Sequence, residues 1–167
     1  SLHDALPIYL MNAAWGTMQE RDTVVLNLSE GHKTVENLKA RGAFTVGIAD
    51  AAHMVEADYF GLVSGHQVPD KLGKAGLTAT KAEMVDAPVI NELPLCMECE
   101  FVAYQDGPYG CGVIGKVVSV TADERVLTDG KVDMTKVDAI AFDPYTYGYY
   151  KVTERVGNAF QDGAKLK

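Results

Sequence analysis

Alternation of apolar and polar residues dominates the pattern of this chain and predicts a fold built mainly from β-strands. Two long strands are predicted over residues 95–104 and 112–121, and the Asp-Gly-Pro sequence at 106–108 marks a hairpin turn between them. Because such alternation is typical of antiparallel sheets with one buried face, the strands are expected to form a closed or nearly closed barrel. Shorter strands are predicted over residues 10–15, 23–28, 44–48, 139–142 and 149–152.

Two or three short helices are predicted between the strands. The first begins after the strand at 23–28, with Thr34 as its N-cap and Gly42 as its stop signal. Asp50 is expected to cap a second helix over residues 51–60, which Gly61 ends. A helical turn that stops before Gly76 is the third. The predicted fold class is therefore mainly β, with these helices inserted between the strands.

The turn before the first predicted helix gathers groups that bind anions. A helix start presents unpaired backbone N–H groups and the positive end of the helix dipole, which together favour a phosphate. The side chains within reach carry hydroxyl, imidazole and ammonium groups: Ser29, His32, Lys33 and Thr34. The sequence therefore predicts a phosphate site here, although an ordinary capped surface helix explains the same residues equally well.

Length and charge narrow the function classes. The chain has 167 residues, enough for one domain with a substantial core. Its net charge of -8 argues against nucleic-acid binding, and no apolar run approaches the roughly 20 residues that span a membrane. No signal peptide is visible at the start. The expected organisation is a non-native or disordered leader over residues 1–8, one domain over 9–156 and a C-terminal tail over 157–167.

The three cysteines do not predict a metal site. Cys96 and Cys99 are three residues apart in a predicted strand, so their side chains are expected on opposite faces. Cys111 adds no second pair, and an odd number of free thiols fits a reducing cytoplasm, the expected location. No hydrolase signature is present, so no catalytic residue is assigned.

Four motifs follow one another along the chain. They are Met-Asn-Ala-Ala-Trp-Gly at 11–16, His-Lys-Thr-x-x-Asn at 32–37 with Gly-Ala-Phe-Thr-Val at 42–46, Asp-Tyr-x-Gly-x-x-Ser-Gly at 58–65 with Asp-Lys at 70–71, and the stretch from Ala-Pro to Cys-Glu at 87–100. In this order they resemble the flavin reductase-like family, whose domain is an FMN-binding split β-barrel. The resemblance covers about residues 11–152.

The resemblance implies an antiparallel split β-barrel, usually a homodimer, that binds FMN non-covalently. Electrons would pass from NAD(P)H through FMN to an acceptor that the sequence does not name. The implied ligands of the FMN phosphate are Ser29, His32, Lys33 and Thr34. The residues implied to line the flavin are Asn12, Ala13, Ala14 and Trp15. A second wall, which reaches the cofactor of the other subunit, is implied for Ser64, Gly65 and Lys71.

The chain departs from the family pattern at its start, where a further strand is usual and Tyr9 stands at a position that is often Asn. The N-terminal strand is therefore expected to be missing or replaced. Roles unrelated to a cofactor stay open for two of these residues: Trp15 is alternatively a core residue, and Lys71 is alternatively a solvated surface charge. The alternative functions are an FMN-bound electron-transfer or ferric-reductase protein, a non-catalytic flavin- or haem-binding barrel, and a purely structural dimerisation barrel.

Overall fold

Short strands and four short α-helices make up the fold in this computed structural model, which describes residues 10–13, 15–107 and 112–167. The strands are β1 (Gly16–Glu20), β2 (Thr23–Asn27), β3 (Ala43–Gly47), β4 (Ala79–Lys81), β5 (Pro88–Ile90), β6 (Leu95–Gln105), β7 (Gly112–Ala122), β8 (Leu127–Thr128), β9 (Lys131–Val132), β10 (Ile140–Asp143) and β11 (Gly148–Lys151). The α-helices are α1 (Lys33–Arg41), α2 (Met54–Leu62), α3 (Lys71–Lys74) and α4 (Met134–Val137).

One five-stranded antiparallel sheet is the centre of the fold, in the order β1-β2-β7-β6-β3. Its longest pair is β6 with β7, which confirms the two long strands predicted over 95–104 and 112–121. The turn between them falls partly on residues 108–111, outside the described residues. The other strands form two-stranded pairs, β4 with β5, β8 with β9 and β10 with β11. The predicted antiparallel, mainly β class is confirmed.

Helix α1 packs on the sheet through the apolar stripe that its sequence predicts. Val35 and Leu38 are 1% and 3% exposed, and they join Val24 and Leu26 of β2 and Phe44 of β3 in the main core. Gly42 ends the helix in the left-handed conformation, with φ 70°, which a glycine adopts without strain. The helix is therefore anchored on its core side, and its N-terminus is left at the surface.

Several boundaries differ from the prediction. Residues 10–13 form no strand, because no strand among the described residues pairs with their backbone, although their apolar side chains pack against two different core clusters. The first strand begins at Gly16. Thr34 is not the N-cap of α1: the N–H groups of Val35 and Glu36 donate to the carbonyl of His32, so the helix starts earlier. Asp50 caps a 3₁₀ turn over Ala51–His53, so helix α2 begins at Met54 with His53 as its N-cap, and it continues past Gly61 to Leu62.

Gly115 in β7 leaves room for the aromatic ring of Phe44 to pack directly against the backbone of the sheet. A Cβ atom placed on Gly115 would collide with the ring of Phe44, at 2.7 Å from Cε1, and would lie 3.3 Å from the carbonyl oxygen of Glu100. Gly115→Ala is expected to lower the free energy of unfolding by about 1–3 kcal/mol, the usual cost of overpacking a core. Urea denaturation measures this. Gly163→Ala, where the added methyl meets nothing within 4 Å, should cost far less. Equal stability of the two variants would contradict the prediction.

None of the helices in the described residues combines the length and the apolar character that crossing a lipid bilayer requires. Beyond β11, every residue from 152 to 167 is exposed. The one regular element in this segment is a short 3₁₀ helix, Asp162–Leu166. The predicted leader over 1–8 lies outside the described residues. The boundaries proposed for the domain and the tail stay predictions.

Candidate functional site

A cavity of about 570 Å³ lies alongside the edge strand β3. Each residue of β3 contributes to its wall. Helix α1 presents one face to it, at the spacing i, i+3, i+4, i+7: Thr34, Asn37, Leu38 and Arg41. Helix α2 and the residue before it present a second face at the same spacing: His53, Glu56, Ala57 and Phe60. The walls are mainly apolar, with a few polar side chains at the two helices.

Two residues of the segment before β1 reach this cavity as the resemblance implies. Asn12 and Ala13 line it, while Ala14 lies outside the described residues. The amide Nδ2 of Asn12 donates to the Tyr149 hydroxyl at 3.2 Å, and that hydroxyl donates to Asp58 Oδ1 at 2.9 Å. Side chains from α2 and β11 therefore hold a segment that has no strand partner of its own.

Three aromatic rings in contact lead from the Asn12–Tyr149–Asp58 hydrogen bonds to the surface. Tyr149 and Phe142 both line the cavity, with ring centroids 5.5 Å apart. Trp15 contacts Phe142 edge-to-face, at 6.3 Å and 84°. Trp15 is 55% exposed, so the alternative of a core tryptophan is wrong. Burial, followed by the hydrogen bond to Asp58, raises the pKa of Tyr149, so its hydroxyl keeps its proton at neutral pH.

The start of α1 brings the four predicted phosphate ligands together. His32 is the N-cap, but its side chain makes no capping hydrogen bond, and its N–H donates to the carbonyl of Ser29 at 3.1 Å. The Lys33 ammonium lies 2.5 Å from Glu36 Oε1, which lowers the pKa of that carboxyl group. Thr34 is the member that also lines the cavity. The turn and the cavity are therefore contiguous.

The residues predicted for the second wall lie apart from the described cavity lining. The hydroxyl of Ser64 accepts a hydrogen bond from the N–H of His66, and Gly65 lies between them in the loop after α2. Lys71 is 4% exposed, and its ammonium donates to the carbonyls of Leu10 at 3.1 Å and Phe60 at 3.0 Å. The alternative of a solvated charge at Lys71 is therefore wrong. A role toward a second subunit's cofactor stays a prediction.

Burial lowers the pKa of Lys71 below its ordinary value of 10.5. In the pH window between the folded-state value and 10.5, the unfolded chain then binds more protons than the folded chain. Stability is therefore expected to rise with pH across that window. Urea unfolding of the protein and of Lys71→Met at several pH values measures this. The stability difference should change with pH in that direction, whereas a constant difference would contradict the shift. Subtracting the variant removes contributions from other groups, such as Tyr149.

Cys96 and Cys99 are buried free thiols. Burial raises the pKa of Cys96 to about 11 and that of Cys99 to about 12, so both are protonated at neutral pH and are weak nucleophiles and weak metal ligands. Cys99 packs in the main core with Met97 and Phe101, as the alternation along β6 predicts, and the register shift after Glu98 comes from an extra residue, Val118, in the facing strand β7. Among the described residues, no three His, Cys, Asp or Glu side chains are grouped as a metal ion requires.

Sequence reasoning missed the polar residues that α2 contributes. His53 Nδ1 lies 2.7 Å from Asp50 Oδ1, and Glu56 stands one turn later on the same face. Tyr149 and Asp58, separated by 91 residues, were missed as partners. The spacing of residues 53, 56, 57 and 60 was a usable signal for the first pair. No local signal joins the second pair, because only the packing of β11 on α2 brings them together.

The fold belongs to the class of split-barrel domains known from solved structures. The sequence profile of the flavin reductase like domain matches residues 10–150, so the chain belongs to the flavin reductase-like family. The chain is similar to flavoredoxin of Desulfovibrio vulgaris (Miyazaki F), with 34% identity, a TM-score of 0.86, and coverage of 92% of this chain and 83% of that one.

Two further solved structures share the fold. Flavoredoxin from Methanosarcina acetivorans has 26% identity and a TM-score of 0.84, with coverage of 94% of this chain and 84% of that one. An FMN-binding domain of a flavin reductase-like enzyme from Shewanella baltica has 18% identity and a TM-score of 0.74, with coverage of 89% of this chain and 81% of that one. No curated protein sequence matches the chain significantly.

Proposed function

We propose that this chain is a flavoprotein oxidoreductase that binds FMN non-covalently and passes electrons from NAD(P)H to a further acceptor. One observation carries the proposal: a helix start without a side-chain cap, surrounded by hydroxyl, imidazole and ammonium groups, opens onto the large apolar cavity in a member of the flavin reductase-like family. The likeness to the two flavoredoxins and to the FMN-binding Shewanella domain supports the choice of cofactor.

The residues present fit such a cofactor. The proposed ligands of its phosphate are Ser29, His32, Lys33 and Thr34, at the positive end of the α1 dipole. Four other helical turns differ in this respect: Asp50, Asp70, Asp123 and Asp133 cap theirs with carboxylates, which would repel an anion. Helix α2 shares the missing side-chain cap, but its N-cap is His53, whose ring faces the carboxylate of Asp50. The cavity volume lies in the range of about 300–1,000 Å³ that small-molecule sites occupy, and apolar walls suit a flavin ring.

The chain's own residues supply position and electrostatics, while FMN, when bound, supplies hydride and single-electron chemistry. Residues 12–15 are proposed to line the ring, and the Asn12–Tyr149–Asp58 hydrogen bonds hold the start of that segment in place. The apolar faces of α1 and α2 would exclude water from the ring. We further propose a homodimer in which Ser64, Gly65 and Lys71 approach the cofactor of the other subunit.

An absorbance spectrum of the purified protein, before and after titration with FMN, tests the cofactor assignment. Flavin bands, or saturable binding with quenched flavin fluorescence, are expected. A haem spectrum, or no binding of FMN at all, would overturn the assignment. Anaerobic stopped-flow mixing of the FMN-loaded protein with NADH or NADPH then tests the electron donor. Flavin bleaching by either is expected, whereas a flavin that stays oxidised with both would make the protein an electron-transfer module without nicotinamide oxidation.

A further inference from the structure

The face of α2 that lines the cavity carries two polar groups that a flavin phosphate site does not require. His53 is the N-cap of α2 and Glu56 lies three residues later, in the first turn of the helix. Ala57 and Phe60 complete that face, and all four line the cavity. The two polar side chains are therefore neighbours on an otherwise apolar wall.

The orientation of His53 follows from Asp50, which is 8% exposed. Asp50 Oδ1 accepts hydrogen bonds from the backbone N–H of His53 at 3.0 Å and lies 2.7 Å from its Nδ1. An isolated bridge to Ala139 holds the backbone of Asp50 itself. A carboxylate at Nδ1 favours the tautomer of the neutral imidazole that carries its proton on Nδ1, and in that tautomer Nε2, on the opposite side of the ring, is an acceptor.

Glu56 has an unmet hydrogen-bonding requirement. Its Oε2 is buried, and within residues 10–13, 15–107 and 112–167 it has no hydrogen-bond partner. A buried carboxylate oxygen without a donor destabilises the protein, and native proteins keep such atoms rarely and for a reason. Glu56 lines the cavity with other atoms of its side chain, so a rotation of that side chain brings the unpartnered Oε2 to the wall, one helical turn from His53 Nε2.

We propose that Glu56 and His53 bind the primary carboxamide of the nicotinamide that donates electrons. A primary amide brings two N–H donors on one nitrogen, and its planar ring suits the apolar wall beside the two acceptors. The ring also gains positive charge when it is oxidised, and the Glu56 carboxylate favours that charge. The inference rests on the proposed function, since it assigns a subsite to the electron donor.

Two matched probes test the subsite: nicotinamide mononucleotide, and nicotinic acid mononucleotide, in which a carboxylate replaces the amide. Calorimetric titration of each into the protein, with and without FMN, gives the ratio of dissociation constants. The protein is expected to prefer the amide by at least about tenfold, because the acid has no N–H to donate and is repelled by Glu56. Equal affinity for the two probes, or binding of neither, would overturn the proposal.

Substitutions at Glu56 locate the preference. Glu56→Met is expected to bring the two affinities within about twofold, since it removes the acceptor that this preference depends on. Glu56→Gln offers an N–H in place of a carboxylate oxygen and should shift the preference toward the acid. Glu83→Met, the same change at an exposed site, should keep the original preference. A Gln or Met variant that keeps it as well would overturn the subsite.

Thermal unfolding separates this role from a structural one. Removing a carboxylate oxygen that has no donor should leave Glu56→Met at least as stable as the parent protein, whereas loss of stability would mean that Glu56 supports the fold instead. Failure of FMN to bind the parent protein would refute the proposed function alone, because the two probes are also titrated without FMN.

Discussion

Lys71→Met is expected to lower the free energy of unfolding by about 2–4 kcal/mol, because one buried and one partly buried carbonyl group lose their donor at once. The Lys71 ammonium bonds to the carbonyls of Leu10 and Phe60, and it forms no ion pair with any described acidic side chain. Methionine fills a similar volume without an N–H. The loss is expected to fall on the contact between the segment at 10–13 and the end of α2.

Urea denaturation with a spectroscopic probe measures this change. Lys74→Met removes an exposed lysine from the same short helix and is the matched control, with an expected effect within about 0.5 kcal/mol. If the two variants are equally stable, the buried ammonium does not hold the segment. If Lys71→Met weakens FMN binding as well, the segment that Lys71 anchors contributes to the flavin site.

Lys33→Ala is expected to weaken FMN binding by about 10- to 150-fold, which corresponds to the 1.5–3 kcal/mol that a hydrogen bond to a charged group contributes. The ammonium of Lys33 stands at the start of α1, where it would add a full positive charge to the helix dipole. Because the proposed ligand is a phosphate dianion, the loss should shrink as salt concentration rises. Fluorescence titration with FMN measures it.

Glu36 provides an opposite test of the same group. Its carboxylate pairs with Lys33 at 2.5 Å, so Glu36→Gln should tighten FMN binding by freeing positive charge for the phosphate. Lys74→Ala, an exposed lysine on α3, controls for net charge. Dissociation constants within twofold of each other for Lys33→Ala and Lys74→Ala would show that the start of α1 does not bind the cofactor.

The predictable part of the fold was encoded locally. The alternation along β6 and β7 and the apolar stripe of α1 with Gly42 after it all appear in the structure. Each depends on neighbours within a few residues in the chain. The segment at 10–13 is apolar enough to predict a strand but forms none, because a pattern states which side chains are apolar and not whether a second strand is available to pair.

The candidate site likewise has one part formed by residues close together in the sequence and another formed by residues far apart in it. Ser29, His32, Lys33 and Thr34 are consecutive or nearly so, and the sequence already placed them at one helix start. Tyr149 and Asp58 are 91 residues apart and meet only because β11 packs beside α2. The polar pair on α2 became visible only once the cavity existed, since a missing hydrogen-bond partner is a property of the packed chain.

The sequence alone determined the antiparallel, mainly β class, the long hairpin strands and the end of α1. These follow from local alternation and from helix-ending residues. The tertiary structure alone decided that Lys71 is buried, that Trp15 is exposed and that one oxygen of Glu56 lacks a donor. The physical reason is that burial depends on which distant elements pack together, and no residue carries that information by itself.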